Sequence, residues 1–162
     1  MFTGSAQLLR TLSYAARQHQ EQRKRGYDAM PYVNHIIAVA DALAREGGVH
    51  DLPTLQAALL HDCIEDTNSS FGELRGLFGE EVAALVEELT DDMSLPYEER
   101  KRLQIEKATK MSPKARAIKV ADQLCNVRDI ANFPLDWARE EKIAYLDWAT
   151  KVIQELAGAN PA

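Results

Sequence analysis

Hydrophobic positions recur along this chain every three to four residues and almost nowhere every two, which commits it to packed helices. Leu8, Leu9, Leu12, Ala15 and Ala16 form one stripe, with Thr3 or Ser5 available as an N-cap. A polar, basic stretch follows over residues 18–30, with Gly26 as its turn. Ile36, Val39, Ala40 and Leu43 share one face of a second predicted helix, 32–45, closed by Gly47-Gly48. Asp51 and Pro53 open a third helix, expected to run through Leu55, Ala58 and Leu59 to Asp66. Ser70 and Glu73 make a capping-box pattern before Leu74, Leu77 and Phe78. Gly79 separates that segment from a helix carrying Val82, Leu85, Val86 and Leu89. Residues 90–95 read as a loop, and further helices are expected over 96–110, 113–131 and 136–156. The expected fold is all-α, a single-domain helical bundle over residues 1–162.

Composition narrows the classes of function. With 162 residues and 46% of them hydrophobic, the chain can bury a sizeable core and is not a disordered tail. The 25 acidic side chains outnumber 19 basic ones, for a net charge of −6. That balance excludes coating a nucleic acid polymer or an anionic membrane through bulk charge. It leaves room for a small anionic ligand at a local basic site. Basic side chains concentrate in residues 1–25 and 98–119, and the acidic excess lies elsewhere. Cys63 and Cys125 sit in apolar segments and read as buried thiols of a reducing compartment. Residues 1–10 lack the pattern of a signal peptide, and apolar runs are too short to span a bilayer. A cytoplasmic location is the expectation.

The chemistry concentrates in Leu59-Leu60-His61-Asp62-Cys63-Ile64-Glu65-Asp66-Thr67. On a continuous helix His61 and Glu65 are i,i+4 neighbours, as are Asp62 and Asp66. Three carboxylates near a helix C-terminus oppose the macrodipole at about 0.3–1 kcal/mol each. A bound cation would turn those penalties into attractions. By itself the segment fits a solvated acidic helix end equally well. Two other polar intrusions add weight: His35 in Tyr32-Val33-Asn34-His35-Ile36-Ile37, and Asp122 in Val120-Ala121-Asp122-Gln123-Leu124. A carboxylate among apolar residues needs a partner, which here is Lys119 or a metal. His35, His61, Asp62 and Asp122 together offer two nitrogen and two oxygen donors. Such a set suits one divalent ion such as Mn²⁺, Fe²⁺ or Zn²⁺ and leaves room for water and a phosphate oxygen. Glu65 and Asp66, one turn on, are placed to orient or deprotonate that water.

The order His35, His61-Asp62, Asp122 resembles the HD-domain phosphohydrolases. Pro31-Tyr32-x-x-His35, His61-Asp62-x-x-Glu65-Asp66-Thr67 and Ala121-Asp122-x-x-x-Asn126 are similar to the RelA/SpoT branch. Phe78-Gly79-x-Glu81-Val82 and Leu95-Pro96-x-x-Glu99-Arg100-Lys101-Arg102-Leu103-Gln104 extend the likeness to that branch's small stand-alone alarmone hydrolases. The resemblance covers essentially the whole chain. It implies an enzyme like guanosine-3′,5′-bis(diphosphate) 3′-pyrophosphohydrolase. Such an enzyme uses Mn²⁺ to convert (p)ppGpp to GDP or GTP and pyrophosphate. His35, His61, Asp62 and Asp122 take the metal-ligand roles, and Glu65 and Asp66 the catalytic ones. Arg23 and Lys24 match a basic pair associated with base and phosphates, Asn126 a nucleoside contact, and Tyr145 a substrate-side aromatic.

Three positions depart from the family pattern. Ile36 stands where proline is usual, Tyr97 where similar small members can carry a lysine near the phosphates, and Asp129 where some longer members have a threonine near the nucleoside. Three alternatives stay open: an adenosine alarmone, another phosphorylated nucleotide such as NADPH, or a nucleotide sensor without turnover. Oligomeric state is not legible.

Overall fold

The computed structural model describes residues 3–133 and 135–158. Helix α1 spans Gly4–Gln18, with the Thr3 hydroxyl accepting from the Ala6 N–H at its start. Ala15 is buried, together with Thr11 and Tyr14, which the apolar stripe did not include, whereas Leu9 is 66% exposed and faces away from the core. Two short antiparallel strands follow, β1 (Arg23–Lys24) and β2 (Tyr27–Pro31). The fold is mostly helical as expected, and this hairpin stands where the sequence read as a plain turn. Gly26 turns it at φ 78°, and a Cβ there would lie 2.3 Å from Trp137 Nε1. Both the backbone conformation and the close ring demand glycine.

Helix α2 (Val33–Asp41) continues into a π-helical turn, Ala42–Glu46, in which Gly47 N–H reaches back to the Ala42 carbonyl. Helix α3 is Leu52–Leu60, capped by Asp51 as the sequence indicated. The expected single helix to Asp66 does not form. The chain turns at His61-Asp62 and resumes as a four-residue helix, α4 (Cys63–Asp66). Helices α5 (Phe71–Phe78), α6 (Glu80–Leu89), α7 (Tyr97–Ala108), α8 (Pro113–Asn132) and α9 (Arg139–Gly158) complete the order. Ser70 and Ser112 cap α5 and α8 through their hydroxyls.

Helix α3 is the hub and packs against α1, α2, α6 and α8. Its Ala57, Ala58 and Leu60 are buried in one core cluster with Ile36 and Val39 of α2, Val86 of α6 and Ile118 of α8. Burying each such large aliphatic side chain is worth about 1.5–3 kcal/mol. Helices α7 and α9 pack on one another, and α9 also lies against α8. The apolar interior therefore fixes where α3 ends. It ends beside α2 and α8, the helices that carry His35 and Asp122.

Candidate active site

Consecutive residues on an α-helix project about 100° apart. The turn after α3 removes that constraint and lets His61 and Asp62 aim at one point, with His61 Nε2 3.0 Å from Asp62 Oδ2. The ligand atoms of His35, His61 and Asp62 lie within 4.8 Å of one another. Asp122 joins them, its Oδ1 3.0 Å from His35 Nε2 and 3.6 Å from His61 Nε2. Four residues read from the sequence as a ligand set thus converge from α2, the α3–α4 turn and α8.

The cluster demands a positive charge. His61 Nδ1 donates to the Ala58 carbonyl at 2.6 Å, which leaves Nε2 as the nitrogen with a lone pair. That nitrogen is buried, has no hydrogen-bond partner, and faces two carboxylates. Burial alone would pull the imidazolium down, but Asp62 and Asp122 outweigh it and hold the ring's pKa well above the usual histidine range. Burial likewise opposes ionisation of Asp62, yet the charge of the adjacent His61 brings its carboxyl down to about 2. Asp122 is held well below its ordinary value by His35 and His61 against the same desolvation. A proton on His61 occupies the place that a divalent ion would fill between imidazole and carboxylate. Two imidazoles and two carboxylates fit such an ion.

Supporting groups fix these side chains. Tyr32 donates to Asp62 Oδ2 at 2.5 Å and stacks obliquely between His19 and His35. Asn126 donates to Asp122 and accepts from Lys24 Nζ at 2.9 Å. Lys24 is buried, 3.4 Å from His35 Nδ1 and 2.7 Å from Asp129. The departure at position 129 therefore gives Lys24 a counter-ion. Lys119 lies 3.5 Å from Asp122, so the partner considered from sequence is also present.

Beside the cluster opens a cleft of about 180 Å³, which includes Glu65, Arg100, Lys101, Lys119, Asn126 and Tyr145 in its walls. Glu65 accepts from the Asp91 N–H at 2.5 Å, and Gln104 in turn donates to Asp91 Oδ2. Desolvation, then the Asp62 charge, push the Glu65 carboxyl up to about 8. Asp66 stays open to solvent outside this lining and accepts from Gln22 at 3.1 Å. Arg23 is exposed, its guanidinium folded onto the Gln20 and Gln22 carbonyls, and does not line the cleft. Tyr145 hydrogen-bonds Gln123 and also lines a neighbouring cavity of about 550 Å³ with Tyr97, Trp137 and Trp148.

The sequence reading did not assign Arg100, Lys101, Gln104 or Trp148. Lys101 Nζ sits 3.5 Å over the Trp148 ring, and burial followed by the Lys119 charge pulls it down to about 8. It also lies 5.2 Å from the Tyr97 ring, so a cation stands beside Tyr97. The signal available was helical spacing. Residues 97, 100/101 and 104 form one stripe of α7, as do 119, 122/123 and 126 of α8 and 145 with 148 of α9.

A bundle whose central helix breaks at a His-Asp doublet, completed by His35 and Asp122, defines a helical domain of the HD type. The HD-domain family matches residues 11–156. The chain is 48% identical over 157 residues to the Drosophila melanogaster guanosine-3′,5′-bis(diphosphate) 3′-pyrophosphohydrolase MESH1, covering 96% of this chain and 88% of that one. It is 45% identical to the human MESH1 over 161 residues, or 99% of this chain and 90% of the human one. The solved structure of a metazoan SpoT orthologue that hydrolyses ppGpp superposes with a TM-score of 0.91. That likeness, at 46% identity, covers 99% of this chain and 90% of the other. The chain belongs to the HD-domain family, among its MESH1-type stand-alone hydrolases.

Proposed function

We propose that this chain, as one domain over residues 1–162, removes the 3′-pyrophosphate of guanosine alarmones with one Mn²⁺ held by His35, His61, Asp62 and Asp122. The observation that carries this reading is the place of Glu65, beside the His/Asp cluster in a cleft that also presents Arg100, Lys101 and Lys119. The free, buried thiols of Cys63 and Cys125 accord with action in a reducing compartment, the cytoplasm.

A divalent ion supplies Lewis-acid polarisation of a phosphoryl oxygen and makes water more acidic. Arg100, Lys101 and Lys119 neutralise the pyrophosphate and hold it at the cluster. Lys24, Asn126 and Tyr145 receive the nucleoside side, and Arg23 is assigned to the base by resemblance alone. Asp66 orients the attacking water, and Glu65, its carboxyl raised to about 8, accepts a proton from it when ionised. The water oxygen bonds to the phosphorus next to O3′ as the P–O3′ bond breaks. The proton held at Glu65 passes to O3′, leaving GDP or GTP and pyrophosphate.

The test is pyrophosphate release from ppGpp with and without Mn²⁺, against 3′-pyrophosphorylated adenosine nucleotides and NADPH as competitors. Turnover of ppGpp that is lost on chelation and in Asp62→Ala is expected. Preference for an adenine substrate, or binding of ppGpp without turnover, would replace this reading.

A further inference from the structure

The Glu65 side chain is held by a backbone N–H, whereas Asp66 stands open to solvent at the end of a four-residue helix. A single surface hydrogen bond nets only about 0.5–1.5 kcal/mol, too little to hold a carboxylate in one place. The partner of Asp66 is itself held. Gln22 donates through Nε2 to Asp66 Oδ2 at 3.1 Å, and its Oε1 lies 2.7 Å from Nδ1 of the buried His19. Its backbone is pinned at both ends: its N–H donates to the His19 carbonyl, and its carbonyl accepts from the Tyr32 N–H.

The donors and acceptors permit one arrangement. An ionised Asp66 only accepts, so the amide nitrogen of Gln22 must face it and the amide oxygen must face His19. Nδ1 of His19 must therefore carry a hydrogen. On the far side of the ring, Nε2 lies 3.6 Å from Cys63 Sγ. A thiol is a weak donor, and at that distance Cys63 can donate to the Nε2 lone pair that remains when Nδ1 carries the hydrogen. The His19 ring also packs against Tyr32, their centroids 5.2 Å apart.

We infer that His19 and Gln22 are positioning residues that hold Asp66 for attack by water, through the relay Cys63–His19–Gln22–Asp66. This deepens the hydrolase reading and rests on it. His19 sits at the C-cap of α1 and Gln22 in the turn beyond, so the first helix reaches the catalytic pair through two side chains.

Two amide substitutions of His19 separate positioning from packing. In His19→Asn the amide nitrogen falls where Nδ1 was, whereas in His19→Gln it falls near Nε2. Asparagine should keep kcat within about threefold of the parent. Glutamine should lower it about tenfold, with KM within about twofold in both. Gln22→Glu, which cannot donate when ionised, should match His19→Gln while leaving Mn²⁺ affinity unchanged. Nitrogen-15 spectra of the parent protein should show His19 protonated at Nδ1. Equal kcat in the two His19 variants, unaltered turnover in Gln22→Glu, or a hydrogen on Nε2 alone would overturn the relay. If a His19 variant does not fold, Gln22→Glu and the spectrum of the parent decide. A parent protein inert toward ppGpp would overturn the hydrolase reading instead, and with it the positioning role. The tautomer would then judge only the hydrogen bonds.

Discussion

Tyr32 donates its hydroxyl to Asp62 from a ring wedged between two histidines, which makes it the side chain that aims the carboxylate. Removing that hydroxyl in Tyr32→Phe should weaken Mn²⁺ binding about tenfold with little change in fold, as measured by titration calorimetry. Lys101 offers a test by pH. Its folded value of about 8 lies below the ordinary lysine value, so it loses its charge as pH rises through 8. KM for ppGpp should therefore climb between about pH 8 and 10 in the parent and stay flat in Lys101→Arg. A parallel rise in both proteins would remove Lys101 from phosphate binding. The His and Asp cluster was legible because each member interrupts an apolar stretch, where a polar group requires a reason. Lys101 and Gln104 were not singled out, because charged residues on a polar helix ordinarily face water.

Most helices were legible from period and caps: Asp51, Ser70 and the glycines at 47, 48 and 79 mark boundaries the structure keeps. The β1–β2 hairpin was not. Its first strand has two residues, too few for alternation, and its pairing slips in register between Arg23 and Lys24. The break after α3 was hidden for a different reason. The residues after it keep the apolar spacing of a helix, and only the convergence of His61 with His35 and Asp122 requires the turn. Gly26→Ala tests the hairpin. It forces an alanine to φ 78° against Trp137 and should cost about 1–3 kcal/mol in denaturant unfolding. The loop after α6 is tested through Gln104→Ala. Releasing Asp91 should let Glu65 drift and lower kcat about tenfold, with Mn²⁺ affinity unchanged.

At the scale of the whole molecule, a charge of −6 conceals a sorted distribution. Arg100, Lys101 and Lys119 come to the cleft from the basic segment 98–119, and Lys24 of the other lies behind its wall, donating to Asn126. Arg102 and Lys114 of the same segment instead pair with surface acids. The acidic cluster meets these cations across the bundle, and a divalent ion held by the proposed ligands would tie together α2, the α3–α4 turn and α8. Mn²⁺ at about 100 times its Kd should add about 2.7 kcal/mol of stability. Thermal scans should show roughly 5–10 °C gained, and none in Asp62→Ala. Among the described residues no helix is long and apolar enough to cross a membrane. Trp137 and Trp148 are the chain's two tryptophans, and both line the cavity next to the cleft, Trp148 beneath the Lys101 ammonium. The protein's tryptophan emission therefore originates beside its site. Arrival of a phosphate that draws Lys101 off the indole would be visible as a change in light, without any label.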